Sequence, residues 1–510
     1  MNRLKFIPGI LFFFLAFSSA FAAEPVPLRI LHLNDFHGFA EPVQPAGAAE
    51  KAGGLAYLAG AVHQLGENRP ALLLAAGDFI QGHPWTNLFE GKSTIEAMNA
   101  MNFSAMVPGN HEFDFGQDVL KRRIAEAGFP VLAANVLGFP PLKPFVIQEI
   151  AGLKVAMIGL ITEETPSTTH PKNVEGLTFS PVIETARKWI GELKDQVDLV
   201  IVLSHQGLPA DVELAKAVAG IDIIVGAHSH TRIEKPMRIN ETLIVQSWEH
   251  AKVLGLLDVT VQDKKIIRHE GRQVVIGPGR QQPDAAVARI VDRYRMQAAE
   301  ILNEVIGEAE ADVTGKESRS RETPLGNLVA DVLREQTDAD AALINGGGIR
   351  TDIPKGPLRM NDILAALPFP CHAVVLKISG RELKDILEHG ISNPEGEEGR
   401  FPQVSGIQLT YRLSRPSGQR ITGLTIRGKP LQPDVWYTLA TTDFLAAGGD
   451  GYAAFTKILE TMYNKDEDSA KTSRVLLIDS GRTIRDMVIQ RIRERKTISA
   501  AMESRIQKEN

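Results

Sequence analysis

Arg29-Ile30-Leu31-His32-Leu33-Asn34-Asp35-Phe36-His37 is a largely apolar run that ends in an acidic residue and a histidine two positions apart. Its first five residues suit a β-strand buried on both faces, because the long and branched side chains continue without the polar alternation of a half-solvated strand. Residues 71–75, 154–160, 199–203 and 221–225 repeat the pattern, with amphipathic stretches between them. Buried strands separated by helices predict a layered α/β domain over about residues 28–261. Polar residues follow nearly every run: Asp78 the second, His205 the fourth, His228 the fifth. Such folds build their sites beyond the carboxyl ends of the strands, so these residues are candidates for chemistry.

Outward from this region, 510 residues exceed one ordinary core, and two substantial domains with a connector are expected. Hydrophobic residues at 44% and charged residues at 23% are those of a folded chain. A net charge of −6 disfavours sustained binding to a nucleic-acid polymer, and a small anion would need local positive groups. Arg3 and Lys5, an apolar run from Ile10 to Phe17 and Ala20-Phe21-Ala22 predict a signal peptide over residues 1–22. The apolar run is shorter than the ~20 residues a spanning helix needs, so export to a periplasm or beyond, with no stable membrane anchor after cleavage, is expected. Cys371 is the only cysteine, which excludes an intramolecular disulfide.

The first domain is expected over residues 24–283. Val287, Ile290, Val291, Tyr294, Ile301, Leu302 and Val305 then follow helical spacing after Pro283-Asp284, predicting a linker helix over 284–306. A second, α+β domain is expected over 307–492. It has helices at 325–335 and 381–388, the latter behind a Ser379-x-x-Glu382 capping box, and strands at 341–344, 373–378, 407–413 and 436–442. The charged tail 493–510 is expected to be a solvated, fraying end.

The polar loop segments are, in order, Asp35-Phe36-His37, Gly77-Asp78, Gly109-Asn110-His111-Glu112-Phe113-Asp114, Ser204-His205 and Gly226-Ala227-His228-Ser229-His230. Singly, each reads as an ordinary loop. Together they resemble the calcineurin-like metallophosphoesterase superfamily. The resemblance implies a four-layer α/β/β/α domain that holds two divalent metal ions, with Asp78 as the bridge. Asp35, His37 and His230 would complete one site, and Asn110, His205 and His228 the other. Two cations ~3.5–4 Å apart need such a shared anionic oxygen, and they lower the pKa of a water that attacks phosphorus in line. Oxygen and imidazole ligands without thiolate suit zinc, manganese, iron or cobalt and leave the choice among them open. By the same resemblance His111 stabilises the transition state or leaving oxygen and Asp114 orients it; Asp114 also suits a helix cap.

Asn345-Gly346-Gly347-Gly348-Ile349-Arg350 follows a short predicted strand, where glycines let backbone N–H groups approach an anion and the arginine adds a charge-assisted fork. With Arg319-Ser320-Arg321-Glu322, Leu367-Pro368-Phe369 and Phe444-Leu445-Ala446-Ala447-Gly448-Gly449-Asp450-Gly451, it resembles the carboxy-terminal substrate domain of 5′-nucleotidases and periplasmic UDP-sugar hydrolases. This implies that Arg319 and Arg350 contact phosphate, with Arg321 a secondary candidate. Asn345, Gly347 and Gly348 would line the pocket, Phe369 and Phe444 sandwich the base, and Asp450 bind the ribose hydroxyls. Two places depart from the family: His230, where Gln or Asn is common, and Pro370-Cys371, where Gly and then Asn is frequent. The implied function is metal-dependent hydrolysis of nucleoside 5′-phosphates to nucleoside and phosphate for extracytoplasmic salvage, with a small-molecule nucleotide as partner. The alternatives are a 2′,3′-cyclic-nucleotide phosphodiesterase, a UDP-sugar or dinucleotide pyrophosphatase, a thiosulfohydrolase, or an inactive nucleotide-binding protein.

Overall fold

The computed structural model describes residues 24–44, 50–169, 171–459 and 474–509. The signal peptide expected over 1–22 lies outside the described residues. The opening run forms the strand Val26–Leu33, central in a five-stranded sheet. Its neighbours are Ala71–Ala75, parallel, and Val253–Gln262, antiparallel, with Ala105–Met106 and Lys265–Val275 at the edges. Arg29 clasps Asp258 across the antiparallel pair, Nε to Oδ1 at 2.7 Å and Nη2 to Oδ2 at 2.6 Å. A second, six-stranded sheet runs in the order Met237–Ile239, Thr242–Val245, Ile223–Val225, Leu199–His205, Leu153–Ile161, Phe145–Ile150.

Alternation along the strands builds the layers. Leu28 and Ile30 share a buried cluster with Met157, Ile201 and Leu203, which is the core between the two sheets. Leu31 and Leu33 point the other way, among Leu58, Ile95 and Met98 of the outer helices Leu55–Gly66 and Lys92–Ala100. On the far side of the second sheet, Ile158, Leu160, Val200 and Val202 pack with Ile190 and Leu214 of the helices Val182–Leu193 and Leu208–Ala217. The result is helix, sheet, sheet, helix. A buried Leu or Ile contributes roughly 1.5–3 kcal/mol relative to exposure, so both sheet faces are strongly specified.

The expected linker is the helix Ala285–Leu302, started by the Asp284 carboxylate, which accepts from the amides of Ala286 and Val287 at 2.9 and 2.8 Å. Rather than standing free, it belongs to the outer helical layer of the first domain. Val287, Val291 and Tyr294 are buried there, Tyr294 donates to Glu96 at 2.8 Å, and Trp85 Nε1 donates to the Val291 carbonyl. The apolar stripe also ends sooner than its spacing suggests. Ile301 and Val305 are exposed, and Val305 opens the strand Val305–Ala309.

In the second domain one sheet runs Pro402–Ser405, Ala341–Asn345, Trp436–Thr442, His372–Ser379, Val475–Thr483. Its two faces carry separate cores: Ala342, Ile344 and Val375 on one, Leu343, Val374 and Leu376 on the other. Ser379 and Glu382 form the reciprocal cap of the helix Gly380–Gly390. The fraying tail is overturned. Thr497–Ile498 pairs with Val305–Ala309, and Ile506–Glu509 runs parallel to Ile407–Arg412. The buried Glu322 carboxylate accepts the amides of Glu503, Arg505 and Ile506, while Arg505 pairs with Asp331 at 2.8 Å. These partners turn a charged segment into a structural strand.

Candidate active site

Five candidate ligands hold left-handed backbone: Asp35 (φ 47°), His37 (49°), Asp78 (60°), His228 (72°) and His230 (49°). Each such non-glycine residue costs on the order of 1–3 kcal/mol and persists only where its surroundings over-determine it. Those surroundings are hydrogen-bonded. Asp35 N donates to Gly77 O at 3.0 Å and His37 N to Asp78 O at 2.9 Å. The buried Glu112 carboxylate gathers the amides of Asp78, Phe79 and Ile80 at 2.8, 2.6 and 3.1 Å, together with that of Gly109.

The loops bring two groups together. Asp35, His37 and His230 offer ligand atoms within 4.8 Å of one another, and so do Asp78, His205 and His228. His230 Nε2 lies 3.3 Å from His37 Nε2 and 3.5 Å from Asp35 Oδ1. A single oxygen, Asp78 Oδ2, stands 3.8 Å from His37 Nε2 and 3.2 Å from His205 Nε2, between the groups. Asn110 donates its Nδ2 to Thr168 O at 3.1 Å, while its buried Oδ1 has no hydrogen-bond partner.

The donor set suits cations. His205 Nδ1 meets Ala76 O at 2.7 Å, which assigns the proton to that nitrogen and turns Nε2, itself without a hydrogen bond, toward the Asp78 carboxylate. Lone pair then faces anion unless a positive charge intervenes. Accordingly, although burial pulls the His205 pKa down, Asp78 and Asp35 lift it to about 10, as expected of a site that draws positive charge. Burial likewise pushes the Asp78 carboxyl up, but His205, His111 and His37 hold it well below its ordinary value. Burial, then the charge of His205, lowers His228 to about 3, leaving a neutral imidazole.

His111 Nδ1 lies 2.6 Å from Asp114 Oδ2, and Thr169 donates to the other Asp114 oxygen at 2.6 Å. Both carboxylate oxygens are spent on side chains, which removes the helix-cap alternative. Burial lowers the His111 pKa, yet Asp114 and Asp78 outweigh it, so the ring is held above its ordinary value.

From the second domain, Arg350 reaches His37 Nε2 at 3.3 Å, and the Phe369 ring stacks near His111 at 5.7 Å and 29°. Burial, then the nearby Arg319, lowers Arg350 to about 10. Asn345 donates to Asp450 Oδ2 at 2.6 Å, with Asp450 itself left-handed at φ 52°. Gly348 lies beside Asn345, and Phe444 packs on Gly449, where an added Cβ would sit 2.5 Å from the ring. Two expected residues are not brought in. Arg321 is exposed and paired with Glu317, and the Gly347 amide donates to Gly399 O at 2.9 Å, so it is not open to an anion. The glycine run instead serves close approach: a Cβ at Gly346 would lie 2.0 Å from Ser318 O. Burial pushes the Cys371 thiol up, which disfavours the thiolate.

Sequence reasoning missed Glu112, Thr169, Glu249 and His250. The His250 ring stacks on Phe39 at 3.9 Å and lies 6.0 Å from His37. Glu112 was within reach as part of Gly-Asn-His-Glu, whereas Glu249-His250 follows Trp248 in a short loop with no motif.

Comparison with known proteins agrees with the geometry. The calcineurin-like phosphoesterase model matches residues 28–232, and the 5′-nucleotidase C-terminal domain model matches 305–457. A snake venom 5′-nucleotidase from Naja atra is 30% identical, over 83% of this chain and 91% of that protein. The crystal structure of a 5′-nucleotidase precursor from Thermus thermophilus superposes with a TM-score of 0.85 at 30% identity, over 95% of this chain and 99% of that one. The trifunctional nucleotide phosphoesterase YfkN of Bacillus subtilis is 31% identical over 77% of this chain, which spans 30% of its length.

Proposed function

This chain belongs to the 5′-nucleotidase family, and from that premise we propose that it hydrolyses nucleoside 5′-phosphates to nucleoside and phosphate. The observation that carries the reading is Asp78 Oδ2 between the two ligand groups, 3.8 Å from His37 and 3.2 Å from His205. Asp35, His37, His230 and Asp78 would hold one divalent ion, and Asn110, His205, His228 and Asp78 the other. Zinc, manganese, iron and cobalt all suit these donors. When bound, the ions supply Lewis acidity, lowering the pKa of a water and drawing charge from the phosphoryl oxygens.

The remaining residues bind and orient. Arg350, which reaches the ligand group at His37, and the nearby Arg319 neutralise the phosphate. Asp114 holds Nδ1 of His111, which leaves Nε2 to donate to an oxygen that gains charge as the P–O bond breaks. Phe369 and Phe444 clasp the base, and Asp450, oriented by Asn345, accepts from the ribose hydroxyls. The signal-like amino terminus supports action outside the cytoplasm, for nucleotide salvage. Among the described residues no helix is long and apolar enough to cross a membrane.

A second reading, a broader nucleotide phosphoesterase, is favoured by the likeness to YfkN, and 2′,3′-cyclic nucleotides are the substrates that test it. A phosphate-release panel decides between them. Chelated protein is reloaded with each metal and offered AMP, UDP-glucose and 2′,3′-cyclic AMP, with pyrophosphate cleavage and ring opening followed by chromatography. Fastest turnover of AMP is expected. Faster opening of the cyclic substrate would select the second reading, and no hydrolysis under any metal would overturn both.

A further inference from the structure

Glu249 is the best-placed group that this mechanism leaves unused. Its Oε2 lies 2.7 Å from His230 Nδ1 and its Oε1 2.6 Å from the ammonium of Lys252. Lys252 is buried and lies 4.7 Å over the Trp248 ring. The loop around Glu249 is held tightly. Trp248, His250 and Ala251 adopt left-handed backbone at φ 56°, 57° and 53°. Asn34 Nδ2 donates to Trp248 O at 2.6 Å, and His250 N donates to Asp35 O at 2.8 Å. The turn that presents Asp35 and His37 therefore also anchors Glu249.

One use for this cluster would be a third cation site, since His230, Glu249 and His250 offer ligand atoms within 4.8 Å of one another. Lys252 argues against it. Its ammonium already occupies one Glu249 oxygen, and a third ion would have to displace that buried charge. The other Glu249 oxygen is aimed at the one nitrogen of His230 that faces away from Asp35 and His37.

We propose that Glu249 is a positioning residue: its carboxylate accepts Nδ1–H of His230 and so fixes Nε2 as the lone-pair nitrogen directed at the metal site. This rests on the reading of His230 as a ligand. An imidazole has two tautomers and a rotatable ring, and a carboxylate on its far nitrogen settles both while raising ligand basicity. The Gln or Asn common at this position in the family has no tautomers to fix. Glu249, backed by Lys252, is thus the companion that a histidine at position 230 requires.

Calorimetric titration of chelated protein with Mn²⁺ tests this without relying on turnover. Wild type is expected to take up two ions. Glu249→Ala should weaken one of them by about 10- to 100-fold and leave the other unchanged. Glu249→Gln, whose amide oxygen still accepts from Nδ1–H, should recover most of that loss, which a general folding defect would not predict. In a His230→Gln background, Glu249→Ala should add less than about a 2-fold change, because the interaction it serves is already gone. Unchanged affinities in Glu249→Ala, or an equal loss in both backgrounds, would overturn the positioning role. Two tightly held ions in His230→Ala would instead sink the ligand reading beneath it.

Discussion

The two halves of the active site differ in what their polar atoms are doing. In the metal half, Asn110 Oδ1 and His205 Nε2 are buried without hydrogen bonds, and His37 and His230 turn like nitrogens toward each other at 3.3 Å. In the substrate half, Asn345 is already bonded to Asp450, and the two residues expected there but not brought in are spent elsewhere, Gly347 on Gly399 and Arg321 on Glu317. One half is incomplete without added charge, and the other satisfies itself. Substitutions in the first should therefore act all at once, and those in the second should be graded and dependent on the substrate.

The sharpest way to break this contrast is Asp78→Asn. A neutral amide between two cations should empty both sites and lower kcat/KM on the order of 10⁴-fold or more, several kcal/mol of charge stabilisation. Two retained ions with native turnover, by metal analysis and phosphate release, would contradict the bridge. His111→Asn comes next, with kcat expected to fall roughly 10²- to 10⁴-fold while both ions stay bound; loss of metal would make His111 a ligand. In the substrate half, Phe444→Ala should raise KM for AMP roughly 5- to 150-fold, the equivalent of ~1–3 kcal/mol of stacking. Hydrolysis of an aryl phosphate without a base should hardly change, and equal losses on both substrates would return Phe444 to the core. Smallest of all, Arg321→Ala should alter KM for AMP less than about 2-fold, since its exposed side chain is spent on Glu317 rather than on substrate. A larger change would mean that Arg321 leaves Glu317 to reach phosphate.

The legible part of the molecule was that in which chemistry and pattern coincide. Asp35, Asp78, His205 and His228 each follow an apolar run, so strand and ligand announce each other. The start of the capping-box helix was equally readable, because Ser379 and Glu382 are local partners. What escaped depends on distant atoms. Nothing near Gly347 reveals that its amide is taken by Gly399, and nothing in the polar stretch after Arg493 reveals that Glu322 is waiting for it. Glu249 is hidden for the same reason: its meaning lies in a bond to His230, nineteen positions earlier.

The clasp between Arg29 and Asp258 joins residues 229 positions apart. During synthesis the first strand emerges long before Val253–Gln262, which covers one of its two edges. Until then a largely apolar strand bears unpaired N–H and C=O groups along that side, a template for wrong partners. Closing the sheet must also await a contact of very long range, which slows folding. The nascent chain therefore passes through a prolonged vulnerable interval, in which a holding chaperone that shields residues 26–33 would protect yield far more than it would alter the finished enzyme.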